Sequence, residues 1–166
     1  DLPYRTKVVD AVDGSKPDND FSKSYTPKLL RPRYPFSLCS TEVACFQSHR
    51  KCWQEILDSG LEAALIIEDD VDIIDGEFTA AVKLAMKEIE MGDLIRFPMK
   101  PREKPRNISV KRDKISIFEP TVIGLGTQAQ IVTYDAARRL LEKTENFDRP
   151  IDVYLQLRWK HGVRVL

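Results

Sequence analysis

Hydrophobic and polar positions change rhythm several times along the chain, and each change predicts an element. Between Ser40 and Gly60, Phe46, His49, Trp53 and Ile56 recur at about 100° per residue, the period of a helix with one buried face. Ser40 or Thr41 can cap it, Glu42 meets the positive end of its dipole, and Gly60 stops it. The run Ala64-Leu65-Ile66-Ile67, between Gly60 and Gly76, reads as a short buried strand. Phe78 to Ile89 returns to helical spacing and ends at Gly92. Asp93–Phe97 is a second strand stopped by Pro98, so strand, helix and strand follow as a βαβ unit with a parallel pair.

Downstream, Ile115–Phe118 predicts another short strand. Thr133 caps a helix carrying Ala136, Ala137, Leu140 and Leu141 to Lys143. Asp152 can cap a final helix, and His161-Gly162 then leads into an extended end, Val163–Leu166. Residues 1–39 are turn-rich and irregular, with a short strand expected near Tyr4–Val9 and Pro27, Pro32 and Pro35 opposing any helix. Residues 99–114 lack apolar periodicity, contain two prolines, and read as a loop. The pattern as a whole predicts one α/β domain over residues 1–166, with a mixed, mostly parallel sheet flanked by helices.

Charge changes this picture at one point above all. The strand ending at Ile67 runs into Glu68, Asp69, Asp70 and Asp72, four carboxylates in five positions. Two like charges about 4 Å apart repel by roughly 4 kcal/mol at an effective dielectric near 20. A hard divalent cation removes that cost, and oxygen ligands suit Mg²⁺ or Mn²⁺. The carboxyl end of a strand is also where open α/β sheets bind ligands. A solvated acidic turn that caps the next helix is the plainer reading. For His49, spacing alone favours a core histidine over one lining a cleft.

Composition sets limits. The 166 residues hold 26 basic and 26 acidic side chains, so no net field advertises nucleic acid as a partner. No apolar run reaches the eighteen or so residues of a transmembrane helix, no signal peptide is visible, and three cysteines fit a reducing compartment. Cys45 and Cys52, seven apart, match neither a disulfide framework nor a zinc spacing. The loop at 99–114 carries Lys100, Arg102, Lys104, Arg106, Lys111, Arg112 and Lys114 against Glu103 and Asp113. Such a loop suits an anionic acceptor or an anionic membrane surface, or is simply solvated. The expected location is cytoplasmic, peripheral on the inner membrane through residues 100–114.

Five stretches in order resemble glycosyltransferase family 25, the enzymes of lipooligosaccharide and lipopolysaccharide assembly. Thr41 to His49, ending at Trp53, is similar to the signature "EIGCxxSHxxxW", and Leu65 to Asp70 to "LEDD". Gly126 to Val132 with Ala136, Ala137, Leu140 and Leu141 resembles "GTxAYxIsxxaAxxLL". Pro150-Ile151-Asp152 and Val9 to Gly14 match "P-[IV]-D" and "AvdG". Gln130 departs from the usual aromatic and Val43-Ala44 from Ile-Gly. The family's opening strand, ending "INL", is expected to precede Asp1.

The resemblance implies a GT-A-like, Rossmann-like fold and inverting transfer of a sugar, commonly galactose, from a nucleotide-sugar to a saccharide acceptor. It implies Mn²⁺ or Mg²⁺ as cofactor, held by Asp70 and Glu68 with His161 completing the site, and Asp69 accepting from donor hydroxyls. Ser48, His49, Gly126 and Thr127 become donor-site candidates, and Asp152 the base that takes the acceptor proton. Two rivals stand beside this reading. One is a Mg²⁺-dependent phosphotransferase using Asp70-x-Asp72, opposed by Ile73 and by the lack of a lysine-bearing second acidic site. The other is a non-catalytic domain that binds carbohydrate or a partner protein.

Overall fold

The computed structural model describes residues 4–16, 21–73, 76–97 and 100–166. Pro98, the expected stop of the second strand, lies outside them. The regular elements are α1 (Ser40–Asp58), β1 (Ala63–Ile67), α2 (Glu77–Glu88), β2 (Asp93–Phe97), β3 (Pro105–Arg112) and β4 (Ile115–Pro120). They continue as β5 (Ala129–Thr133), α3 (Tyr134–Lys143), α4 (Ile151–Leu155), α5 (Arg158–His161) and β6 (Arg164–Val165). Four strands form one sheet in the order β1-β5-β2-β6, and β3 and β4 form a separate hairpin.

Alternation along the strands builds a core on each face of this sheet. Ala64, Ile66, Leu94 and Val132 pack with α1, α3 and α4, whereas Ala63, Leu65, Ile95 and Ile131 pack with α2 and the hairpin. Coverage on both faces explains the unbroken apolar run in β1, because no face is left for polar residues. The first core is aromatic: Phe46 stacks on Phe147 at 3.9 Å and meets Trp53 edge-on at 6.3 Å. Each such ring, fully buried, contributes about 1.5–3 kcal/mol by removal from water.

The sheet is mixed, and the expected predominance of parallel pairs is not what forms. β1 and β2 do run in the same direction, but β5 lies between them and is antiparallel to both. Within the sheet, among the described residues, β2 and β6 are the parallel pair. The long passage through the hairpin brings the chain back to insert β5, so β1 and β2 never touch as a βαβ pair.

The basic segment is also corrected. Residues 105–112 are not loop but strand β3, antiparallel to β4 and turning at Asp113, whose φ is 50°. Register shifts interrupt the ladder between Pro105 and Asn107 and between Ile108 and Val110. Bulges break a period of two, and an outer strand wet on most positions needs no apolar alternation. Tyr4–Val9, expected as a strand, has no ladder partner among the described residues.

The irregular first part is nevertheless tied down. Asp148 is buried and accepts from the Leu30 N–H at 2.8 Å, and Arg149 donates to the Pro32 carbonyl at 2.8 Å. Tyr25 bridges to Phe147. The Val12 N–H donates to Ser48 at 2.8 Å, and a Cβ on Gly14 would meet the Ser40 carbonyl at 2.9 Å, so this segment lies against α1. Two caps differ in detail from expectation. Cys39 precedes α1, with its N–H donating to Glu42 at 2.9 Å, and Pro150, not Asp152, precedes α4.

Candidate active site

The site is assembled by the antiparallel register of β1 on β5. Ile67 sits opposite Ala129, and the ladder continues one step beyond the strands as the Glu68 N–H donates to the Gln128 carbonyl at 2.8 Å. The acidic strand end and the Gly126-Thr127-Gln128 turn therefore share one edge of the sheet. Gly126 adopts φ 108°, where glycine is favoured, and its carbonyl accepts from Arg96 at 3.0 Å.

Glu68 points inward from this edge. Its Oε1 accepts from Thr127 Oγ1 at 2.7 Å and pairs with His49 Nε2 at 3.0 Å. On the far side of the ring, the Gln130 amide nitrogen lies 3.0 Å from His49 Nδ1. An amide N–H donating to Nδ1 leaves the ring proton on Nε2, so neutral His49 donates to the carboxylate. The His49 hydrogen bond holds the Glu68 carboxyl below its ordinary value against the opposing effect of burial, and Thr127 adds to the lowering. Gln130 is fully buried, and its Oε1 has no hydrogen-bond partner among the described residues.

Negative charge gathers near this cluster. Burial, reinforced by Glu68, Asp152, Asp70 and Glu42, pushes the Cys45 thiol up to about 11. Burial likewise raises the Tyr34 phenol, with Glu42 and Asp152 adding to it and Arg149 opposing. The Arg149 guanidinium lies 5.8 Å over the Tyr34 ring. Asp152 bridges two elements: Oδ2 accepts from the Gly126 N–H at 3.0 Å and Oδ1 from the Val153 N–H at 2.7 Å. Asp69 and Asp70 are exposed on the turn after β1, and no hydrogen bond or ion pair engages either among the described residues.

Hydrogen bonds thus join Glu68, His49 and Thr127 in one cluster and tie Asp152 to Gly126 in the adjoining turn, although the chain scatters them, while Asp69 and Asp70 stand exposed just after Glu68. Two expected members do not join. Ser48 donates to the Ala44 carbonyl and accepts from Val12, both at 2.8 Å, so it fastens the N-terminal segment. His161 is buried, accepting from the Val163 N–H at Nδ1 and facing the Leu155 carbonyl with Nε2, each at 3.0 Å. With both nitrogens committed to backbone, it has no lone pair left for an ion. Sequence reasoning missed Tyr34, which no spacing pattern singles out, and the role of Gln130, which appeared there only as a departure from an aromatic.

Asp69 and Asp70 are exposed carboxylates, the residue type that takes a hard cation, but among the described residues they form no three-ligand group with Glu68. Glu68 has already spent one oxygen on His49 and Thr127.

A mixed four-stranded sheet with helices is consistent with a Rossmann-like α/β fold. The chain belongs to glycosyltransferase family 25 (LPS biosynthesis protein), whose pattern matches residues 2–155. Mouse procollagen galactosyltransferase 2 is 36% identical over 93 residues, which is 53% of this chain and 15% of that protein. A bovine protein named probable inactive glycosyltransferase 25 family member 3 is 30% identical over 148 residues, 81% of this chain and 24% of its own length. The human inactive glycosyltransferase 25 family member 3 is 36% identical over 89 residues, 51% of this chain and 15% of that protein. The chain therefore spans less than a quarter of each of these relatives.

Proposed function

We propose that this domain is the GT-A-like donor-binding part of a galactosyltransferase, moving galactose with inversion from a nucleotide-sugar to an acceptor hydroxyl. The observation that carries this reading is the bond network that joins the acidic strand end to the glycine turn: Glu68 accepts from Thr127 and pairs with His49, and Asp152 accepts from the Gly126 N–H. Asp70, with Asp69 beside it, would hold Mn²⁺ or Mg²⁺. When bound, the ion supplies positive charge to the leaving diphosphate.

The chain's own residues do the remaining work. Asp152 is held by two backbone N–H groups, which fix its carboxylate while leaving further lone pairs to accept the acceptor proton. His49 and Thr127 hold Glu68 in one orientation, keeping the acidic wall rigid as charge moves during transfer. The Gly126 turn, braced by Arg96 and Asp152, allows close approach of the donor to the backbone.

The acceptor has two sources. The family's description speaks for a lipopolysaccharide saccharide, and the mouse relative's name speaks for procollagen. The β3–β4 hairpin, with Lys111, Lys114 and Lys104 exposed, is the surface suited to an anionic acceptor or membrane. The second reading, a domain that binds without catalysis, draws on the bovine relative's name and its coverage of 81% of this chain.

Transfer from radiolabelled UDP-galactose to a lipooligosaccharide core and to a procollagen peptide tests these readings together. Mn²⁺-dependent product on either acceptor supports the transferase and identifies the acceptor. Donor binding without transfer or donor hydrolysis favours the non-catalytic reading.

A further inference from the structure

Cys45 and His49 lie four residues apart on α1, so their side chains rise from the same helix face. Glu68, leaving β1, comes up against them. One donor atom from each residue, a thiol sulfur, an imidazole nitrogen and a carboxylate oxygen, lies within 4.8 Å of the other two. From these residues we infer a Zn²⁺ site formed by Cys45, His49 and Glu68, with a donor set different from the carboxylates Asp69 and Asp70 proposed above for a hard cation.

The donor set selects the metal. Sulfur and imidazole suit borderline-soft Zn²⁺ and are poor ligands for Mg²⁺ or Mn²⁺. Tetrahedral zinc with bonds of about 2.0–2.3 Å needs its donors about 3.3–3.6 Å apart. His49 and Glu68 are already at 3.0 Å, and the Cys45 sulfur lies within 4.8 Å of both, so small side-chain adjustments bring the three donors to ligand spacing. Three protein ligands leave a fourth position for water.

The surroundings of His49 supply the remaining requirement. A ligating histidine must bind metal through one nitrogen and donate the other N–H to an acceptor. Here Nε2 faces Glu68, and Nδ1 faces Gln130, whose buried Oε1 has no hydrogen-bond partner among the described residues. Turning the Gln130 amide over presents Oε1 to an Nδ1–H and frees Nε2 for zinc. The imidazole then stays neutral with its proton moved from Nε2 to Nδ1, and the thiol proton leaves to solvent. Binding thus releases about one proton per zinc near neutral pH.

This inference does not rest on sugar transfer, and it is tested without it. Metal-free protein is titrated with Zn²⁺ against a chromophoric chelator, and with Co²⁺ to read the thiolate-to-metal absorption band. One equivalent is expected to bind, with the cobalt band present. Cys45→Ser loses the band and at least about tenfold in zinc affinity while its melting temperature stays unchanged, and Glu68→Gln also weakens binding. Cys39→Ser and Asp70→Asn keep both band and affinity. Wild-type affinity in Cys45→Ser, a missing cobalt band, or loss of zinc in Asp70→Asn in place of Cys45→Ser overturns the site.

Discussion

Thr127 donates to the Glu68 carboxylate at 2.7 Å across 59 residues of chain, and this bond joins the glycine turn to the acidic strand end. It holds the two family motifs in one geometry, so its removal should be felt in stability before function. Thr127→Val keeps the shape and deletes the donor. This bond is part-buried, so its loss should cost about 1 kcal/mol, the lower part of the range for a hydrogen bond deleted from one side. Urea denaturation should show that loss, and an unchanged midpoint would mean that water replaces the hydroxyl without penalty.

Acid should unfold the protein in two stages. Burial lowers the His161 imidazole below its ordinary 6.5, so the unfolded chain takes up that proton first. The stability involved is full above 6.5 and declines as pH falls toward the folded value. Glu68, lowered below its ordinary 4.5, contributes stability that is full above that value and declines beneath it. Denaturant midpoints measured from pH 8 to pH 3 should fall across both windows. His161→Gln should flatten only the upper one and Glu68→Gln only the lower. Unchanged slopes in either variant would remove that residue from the account.

Gly124 is required for lack of space. A Cβ there would meet the Glu103 carboxylate at 2.6 to 2.8 Å. That carboxylate cannot easily yield, because Arg96 holds it at 2.9 Å and the N–H groups of Lys100 and Gly124 at 2.6 and 2.7 Å. Gly124→Ala should therefore cost about 1–3 kcal/mol, the range for overpacking a tight site. Thermal unfolding reads the loss, and an unaltered melting temperature would show that Glu103 moves freely.

Most of the sheet and its helices were legible because burial imposes a period. α1, β1, α2, β2 and α3 each present an apolar face to one of two cores, and Thr133 caps α3 as its residue type suggests, accepting from the Ala136 N–H. The insertion of β5 between β1 and β2 left no trace in local pattern, since strand order depends on where a long connection returns. Of the hairpin, β4 is legible in Ile115–Phe118, whereas β3 is not, because it is wet and bulged. At the site, residue type identified the carboxylates, but not the partner each side chain would choose. Ser48 and His161 were read as site residues, and both turned to backbone instead.

Calorimetric titration of UDP-galactose, with and without Mn²⁺, into the wild-type chain and Asp70→Ala tests the central claim most directly. Asp70 is exposed, so the variant should keep its fold and melting temperature. The wild type should bind the donor at least about tenfold more tightly with Mn²⁺ than without, and Asp70→Ala should bind as the metal-free protein does. Metal-independent binding by the wild type, or full Mn²⁺ dependence in Asp70→Ala, would contradict the account.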